Sequence, residues 1–191
     1  MFLRRKPSDE FIRNLVSEQH GLPFSYSEVG ATRHELPAGY IIDHNRVKLG
    51  TGEQVFSRAV KALTEWRQFD LGWVKAVPEG SVLEVNAVIA ILTRHLGFWS
   101  LNASRVVYLL DESRPVRKFG FAYGTLPEHV ERGEERFTIE WWLVEDTVWY
   151  DILAFSRPNK VVARLGLPFT RLLQKRFARD SKRRMVEYVK G

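Results

Sequence analysis

Asp151 is the first residue with a chemical question attached. If Thr147–Phe155 is a strand, Asp151 shares one face with Trp149, Leu153 and Phe155. A carboxylate on an apolar face is costly unless it is paired. It must meet an arginine, face water, or anchor a ligand in a cavity where a few polar groups orient an apolar molecule. Arg176, Asp180 and Arg184 stand four apart near the C-terminus. That spacing makes a ladder of helical ion pairs. Alternatively, Arg176 guards a cavity mouth and takes a ligand's acidic group with its planar fork. His129, Glu131, Glu134 and Glu135 crowd the turn after Pro127. They are either a solvated hairpin loop or a cluster able to hold a hard metal or supply an acid–base pair.

Composition narrows the chemistry. The 191 residues contain no cysteine, which excludes a disulfide scaffold, a Cys-ligated metal and a thiol nucleophile. With one histidine near the acidic cluster, a transition-metal site is not expected. There is no Gly-x-Ser-x-Gly elbow and no phosphate-binding loop. Gly50 and Gly52 begin a dinucleotide fingerprint, but position 55 is Val55, so they read as turn residues. Neither a cofactor nor a metal is implied. No apolar segment follows the basic N-terminal residues, and the longest aliphatic run, Ala87 to Leu92, cannot span a bilayer. A cytoplasmic location is expected. The net charge is +6, yet residues 157–191 alone hold eleven Lys and Arg against Asp180 and Glu187. That basic segment is either a solvated helix face or a surface for nucleic acid or lipid headgroups, the second ranking behind the first.

The elements that must position these groups follow from periodicity. Ser8 or Asp9 caps a short helix running to about Ser17. Residues 24–29 read as weakly extended, residues 30–45 as a long loop, and Arg46–Leu49 as a short strand. Val55, Phe56, Ala59, Val60, Leu63 and Trp66 have helical spacing, with Thr51 as the cap. The period then becomes two, giving strands at 73–77, 82–92, 105–110, 119–123, 136–144 and 147–155. A helical segment starts near Asn159, breaks around Gly166-Leu167-Pro168 and resumes to about Val189, with Phe169, Leu172, Leu173 and Phe177 as its stripe. Consecutive strands with short links make an antiparallel meander. The chain divides into residues 1–45 as an N-terminal helix and loop, 46–156 as strand, helix and meander, and 157–191 as the basic helix, all within 1–191 as one domain. Apolar residues on both faces of 148–155 leave room for a homodimer, or for the N-terminal segment to cover the outer face.

The fold class is therefore α+β: a strongly curved antiparallel sheet of about six to seven strands gripping a long C-terminal helix, the only element long enough to cross it. This order is similar to the helix-grip architecture of the START and Bet v 1-like superfamily. Local sequence adds a second resemblance. Leu49-Gly50-Thr51-Gly52 with Phe56 and Trp66, Phe119-Gly120-Phe121-Ala122-Tyr123-Gly124-Thr125-Leu126-Pro127, Gly133-Glu134-Glu135-Arg136-Phe137, Ala154-Phe155-Ser156-Arg157-Pro158 and Arg176-Phe177-Ala178-Arg179-Asp180-Ser181 together resemble the uncharacterised protein family 0548, also called domain of unknown function 1990. The resemblance covers nearly the whole chain and transfers no activity.

The helix-grip likeness implies an apolar small molecule, lipid-like or aromatic, bound between sheet and helix. Its expected contacts are Trp73, Phe121, Tyr123, Trp141, Tyr150, Asp151 and Arg176, although aromatics at period two are also plain core. The alternatives are an acid–base enzyme acting on a hydrophobic substrate in the same cavity, and an anionic partner on the basic helix.

Overall fold

The computed structural model describes residues 1–159 and 167–191, with side chains described outside 160–169. Eight strands form one antiparallel sheet: β1 (Phe2–Leu3), β2 (Ile41–Thr51), β3 (Val74–Val77), β4 (Val88–Arg94), β5 (Trp99–Glu112), β6 (Arg117–Thr125), β7 (Glu131–Trp142) and β8 (Thr147–Pro158). Their order is β2-β8-β7-β6-β5-β4-β3, with β1 added to the start of β5. Among the described residues the α-helices are α1 (Asp9–Gln19), α2 (Gly52–Thr64) and α3 (Leu167–Lys190). Register slips between Val106 and Tyr108 in β5, and between Lys48 and Gly50 in β2, bend those strands.

Parity explains the layers. Ile89 on β4, Phe121 and Tyr123 on β6, Phe137 and Ile139 on β7, and Val148, Tyr150 and Ile152 on β8 share the concave face. There they meet Phe56, Ala59 and Leu63 of α2 and Met185 and Val189 of α3. Trp66 takes a left-handed φ of 59° and turns the chain so that Phe69 enters this core. Val77, Ala90, Leu92 and Leu101 point the other way and are covered by Ile12 and Leu15 of α1, which is why β4 is apolar on both faces. Ser8 caps α1, its Oγ accepting the Phe11 N–H at 3.2 Å. Ser8→Ala is expected to lower unfolding stability by about 1 kcal/mol in chemical denaturation.

The structure corrects several boundaries. The strand expected at 46–49 begins at Ile41, so residues 41–45 are sheet rather than loop. Residues 24–29 form no strand; Ser25 instead ties to Thr125, its N–H donating to that carbonyl at 3.0 Å. Residues 82–87 are irregular, and the strand starts at Val88. The strand expected at 105–110 runs from Trp99 to Glu112. Thr51 precedes α2 but makes no side-chain cap bond. The helical start expected near Asn159 and its break lie largely outside the described residues. The N-terminal segment covers part of the convex face, where the rings of Tyr26 and Tyr40 pack on Phe155 at 5.7 and 5.0 Å.

Candidate functional site

The first residues of β7 alternate between two environments. Glu131, Gly133 and Glu135 face the concave side; Glu134 faces the convex side. Position 133 needs glycine: φ is +151°, and a Cβ there would sit 1.9 Å from the Phe155 carbonyl oxygen. That close approach brings β7 and β8 together beneath the two inward carboxylates.

These carboxylates open onto a cavity of about 350 Å³ between the sheet and the first half of α3. Its apolar wall includes Phe69, Trp73, Ile91, Ile152, Leu173 and Phe177. Its polar wall includes Asn102, Tyr123, His129, Glu131, Glu135 and Gln174. The size and mixture match a small-molecule site.

Each polar group has a readable state. The Tyr123 hydroxyl donates to Glu135 Oε2 at 2.6 Å. Burial pushes the Glu135 carboxyl up to about 7; the Tyr123 hydrogen bond opposes this, and the charges of Glu131 and Asp43 add to it. Burial also raises Glu131, against a Gln174 amide donating at 2.7 Å. Burial lowers His129 to about 4. His129 Nδ1 lies 3.0 Å from both the N–H and the carbonyl oxygen of Glu131. Asp43 is paired with Arg171 at 2.6 Å, and Arg171 also donates to Gln174 Oε1.

Of the residues expected from sequence, Trp73 and Tyr123 line the cavity. Phe121, Trp141 and Tyr150 share the concave face but lie in the packed core below it. Phe121 touches Trp66 and Phe137; Trp141 packs on Phe56; Tyr150 stacks on Phe137 and bonds Ser181 at 3.0 Å. Asp151 does not reach the cavity. It sits on the convex face, 2.6 Å from His44 Nε2 and 3.5 Å from Arg136, which is the paired arrangement a carboxylate on an apolar face requires. Arg176 lies outside too, over the Trp73 ring at 4.2 Å and 3.5 Å from Asp180. Arg184 pairs with Asp70 rather than with Asp180. Arg179 and Arg183 likewise have carboxylate partners, so much of the basic charge of α3 is used within the fold. Among the described residues no cluster of three or more His, Asp or Glu is arranged to hold a metal, and no helix is long and apolar enough to cross a membrane.

Phe69, Asn102 and Gln174 were not anticipated. Ser100, Asn102 and Ser104 alternate with Leu101 and Ala103, a strand pattern whose polar face is the inward one. That alternation was the available signal.

Residues 25–184 match the family described as Domain of unknown function (DUF1990). The chain is 37% identical to a UPF0548 protein of Dictyostelium discoideum over 207 residues, covering 99% of this chain and 96% of the relative. It is 34% identical to a UPF0548 protein of Deinococcus radiodurans over 199 residues, covering 97% and 98%. In chain path it is similar to human STARD10, with a TM-score of 0.48, 12% identity, and 96% and 82% of the two chains covered.

Proposed function

Because the chain belongs to the DUF1990 family, whose description assigns no activity, we propose a function from the geometry: the protein holds a small, mainly apolar molecule, lipid-like or aromatic, between its sheet and α3. The observation that supports this is the cavity of about 350 Å³, with aromatic and aliphatic side chains on one wall and a short row of hydrogen-bonding groups on the other. A volume of this size and mixed lining is within the range of small-molecule sites.

The test is native mass spectrometry of protein purified gently from its host, with organic extraction of whatever is bound. A discrete co-purifying mass is expected. It should disappear in Ala178→Trp, which fills the cavity from α3, and in Ala154→Phe, which fills it from β8. An apo mass, together with no uptake of a hydrophobic fluorophore by the wild-type protein, defeats the reading.

A second reading has one observation in its favour. Glu135 titrates near neutrality and is bonded to a phenol inside the cavity. A carboxyl so tuned is suited to proton transfer at physiological pH. On that reading the bound molecule is a substrate, and Glu135→Gln retains binding while turnover is lost.

A further inference from the structure

The two inward carboxylates differ from the other acids of the concave side in how they are compensated. Asp43 has Arg171, and Asp180 has Arg176 and Arg179. Among the described residues Glu131 has only the neutral amide of Gln174 as a side-chain hydrogen-bond donor, with Arg171 acting at longer range, and Glu135 has only the neutral hydroxyl of Tyr123. Among the described residues no cation forms an ion pair with Glu135.

Most cations of α3 beside the cavity are otherwise engaged. Arg171 is bound to Asp43 and Gln174. Arg179 bonds Asp180 at 3.0 Å, and Lys182 bonds Asn45 Oδ1 at 3.2 Å. Lys175 also lines the cavity, from α3. From the other elements Glu135 is faced by Tyr123 on β6, Tyr150 on β8, Asp43 on β2 and Glu131 on its own strand. His129, at the start of β7, stays neutral near pH 7. Among the described residues, the groups that act on Glu135 are therefore neutral or acidic.

A half-buried carboxylate facing a cavity, without a cation beside it, lacks what an ion pair would supply. Beside it stand three aromatic rings. Phe69 stacks on Phe177 at 5.3 Å and on Tyr123 at 6.1 Å, an apolar wall for the body of a ligand. We propose that the cavity selects a ligand with one protonated nitrogen on an apolar body, the ammonium pairing with Glu135 while the body lies against Phe69, Phe177 and Ile91. This inference rests on the reading of the cavity as a ligand site.

Binding then has a proton balance. A protonated amine meeting the neutral Glu135 acid leaves an ammonium–carboxylate pair and releases one proton to solvent. An alcohol of the same shape releases none. A carboxylic acid would have to enter protonated, taking up a proton, because its anion faces Glu131 and Glu135.

The experiment compares 2-phenylethylamine, 2-phenylethanol and 3-phenylpropanoate by calorimetry on the intact chain at pH 6.5, in two buffers of different ionisation enthalpy. The amine is expected to bind roughly tenfold more tightly than the alcohol, since charge-assisted hydrogen bonds are about twice as strong as neutral ones. It should release a substantial fraction of a proton, and the propanoate should bind most weakly. Glu135→Gln, checked for a cooperative melting transition, should bring amine and alcohol to within about threefold of each other. Equal or better binding of the alcohol or the propanoate to the wild type overturns the inference and leaves the ligand-site reading standing. No binding by any of the three overturns both. The head-group series on the wild type decides the matter even if the variant does not fold.

Discussion

Replacing Glu134 by alanine is expected to lower the unfolding free energy by roughly 3–5 kcal/mol, the range for breaking a buried charged network. The carboxylate is 2% exposed and accepts four hydrogen bonds: from the Tyr26 hydroxyl and the Gly30 N–H, both at 2.7 Å, from the Thr32 N–H at 3.0 Å, and from the Thr32 hydroxyl. All four donors belong to the N-terminal segment. Without the carboxylate, each donor that stays out of water costs about 1–3 kcal/mol. The chain can avoid that only by releasing residues 26–32, which uncovers Phe155. Gly124 shows how closely this clamp is fitted, because a Cβ there would stand 2.1 Å from the Tyr26 oxygen. Tyr26→Phe removes one donor and should cost about 1 kcal/mol. Urea denaturation followed by Trp fluorescence measures both. A Glu134→Ala loss below about 1 kcal/mol would show that the segment is not held by this carboxylate.

The same fourfold acceptor explains part of what the sequence withheld. Glu134 and Glu135 are neighbours in a run of charged residues, which reads as a solvated turn. One is a structural clamp on the convex face and the other a cavity group on the concave face, because strand parity separates them. The wider pattern is consistent. Sequence reading found the sheet where its inner face is apolar, as at 119–123 and 147–155, because hydrophobic alternation is the signal of a half-buried strand. It lost the strand ends at 41–45, 99–104 and 131–135. Those ends carry Asp43 and Asn45, Ser100 and Asn102, and Glu131 and Glu135, all lining the cavity. Where a strand turns polar side chains inward, its inner face carries no apolar repeat, and at 99–104 only the outward Leu101 and Ala103 supply one. The opposite error, strand at 82–87, has its own cause. Leu83, Val85 and Ala87 alternate with Glu84 and Asn86, but Asn86 adopts a left-handed φ of 71° and ends the irregular segment before β4. Asp151 and Arg176 stand out in the sequence as charges on apolar faces, and both are paired outside the cavity.

Glu135 carries the second large effect, on stability against pH. Its folded pKa is about 7, raised from an ordinary value near 4.5 chiefly by burial. A raised carboxyl binds its proton more tightly in the folded state. Its contribution is therefore complete below the unfolded pKa and is lost as pH rises through the folded one. Other groups move in the same window. His129, lowered to about 4, removes stability as pH falls below 6.5, and Glu131, raised by burial, has the sign of Glu135. The wild-type curve alone mixes these terms, whereas the difference from Glu135→Gln isolates one. At about 1.4 kcal/mol per pKa unit, that difference should move by roughly 2–3 kcal/mol between pH 5 and pH 8, the wild type losing ground as pH rises. Urea midpoints at half-unit pH steps measure it. A constant difference across the range means that water reaches Glu135 freely, and with it goes the desolvated carboxylate on which amine selectivity depends. If the shift is present, saturating 2-phenylethylamine should reduce it, because an ammonium against Glu135 restores the charge interaction that burial removed.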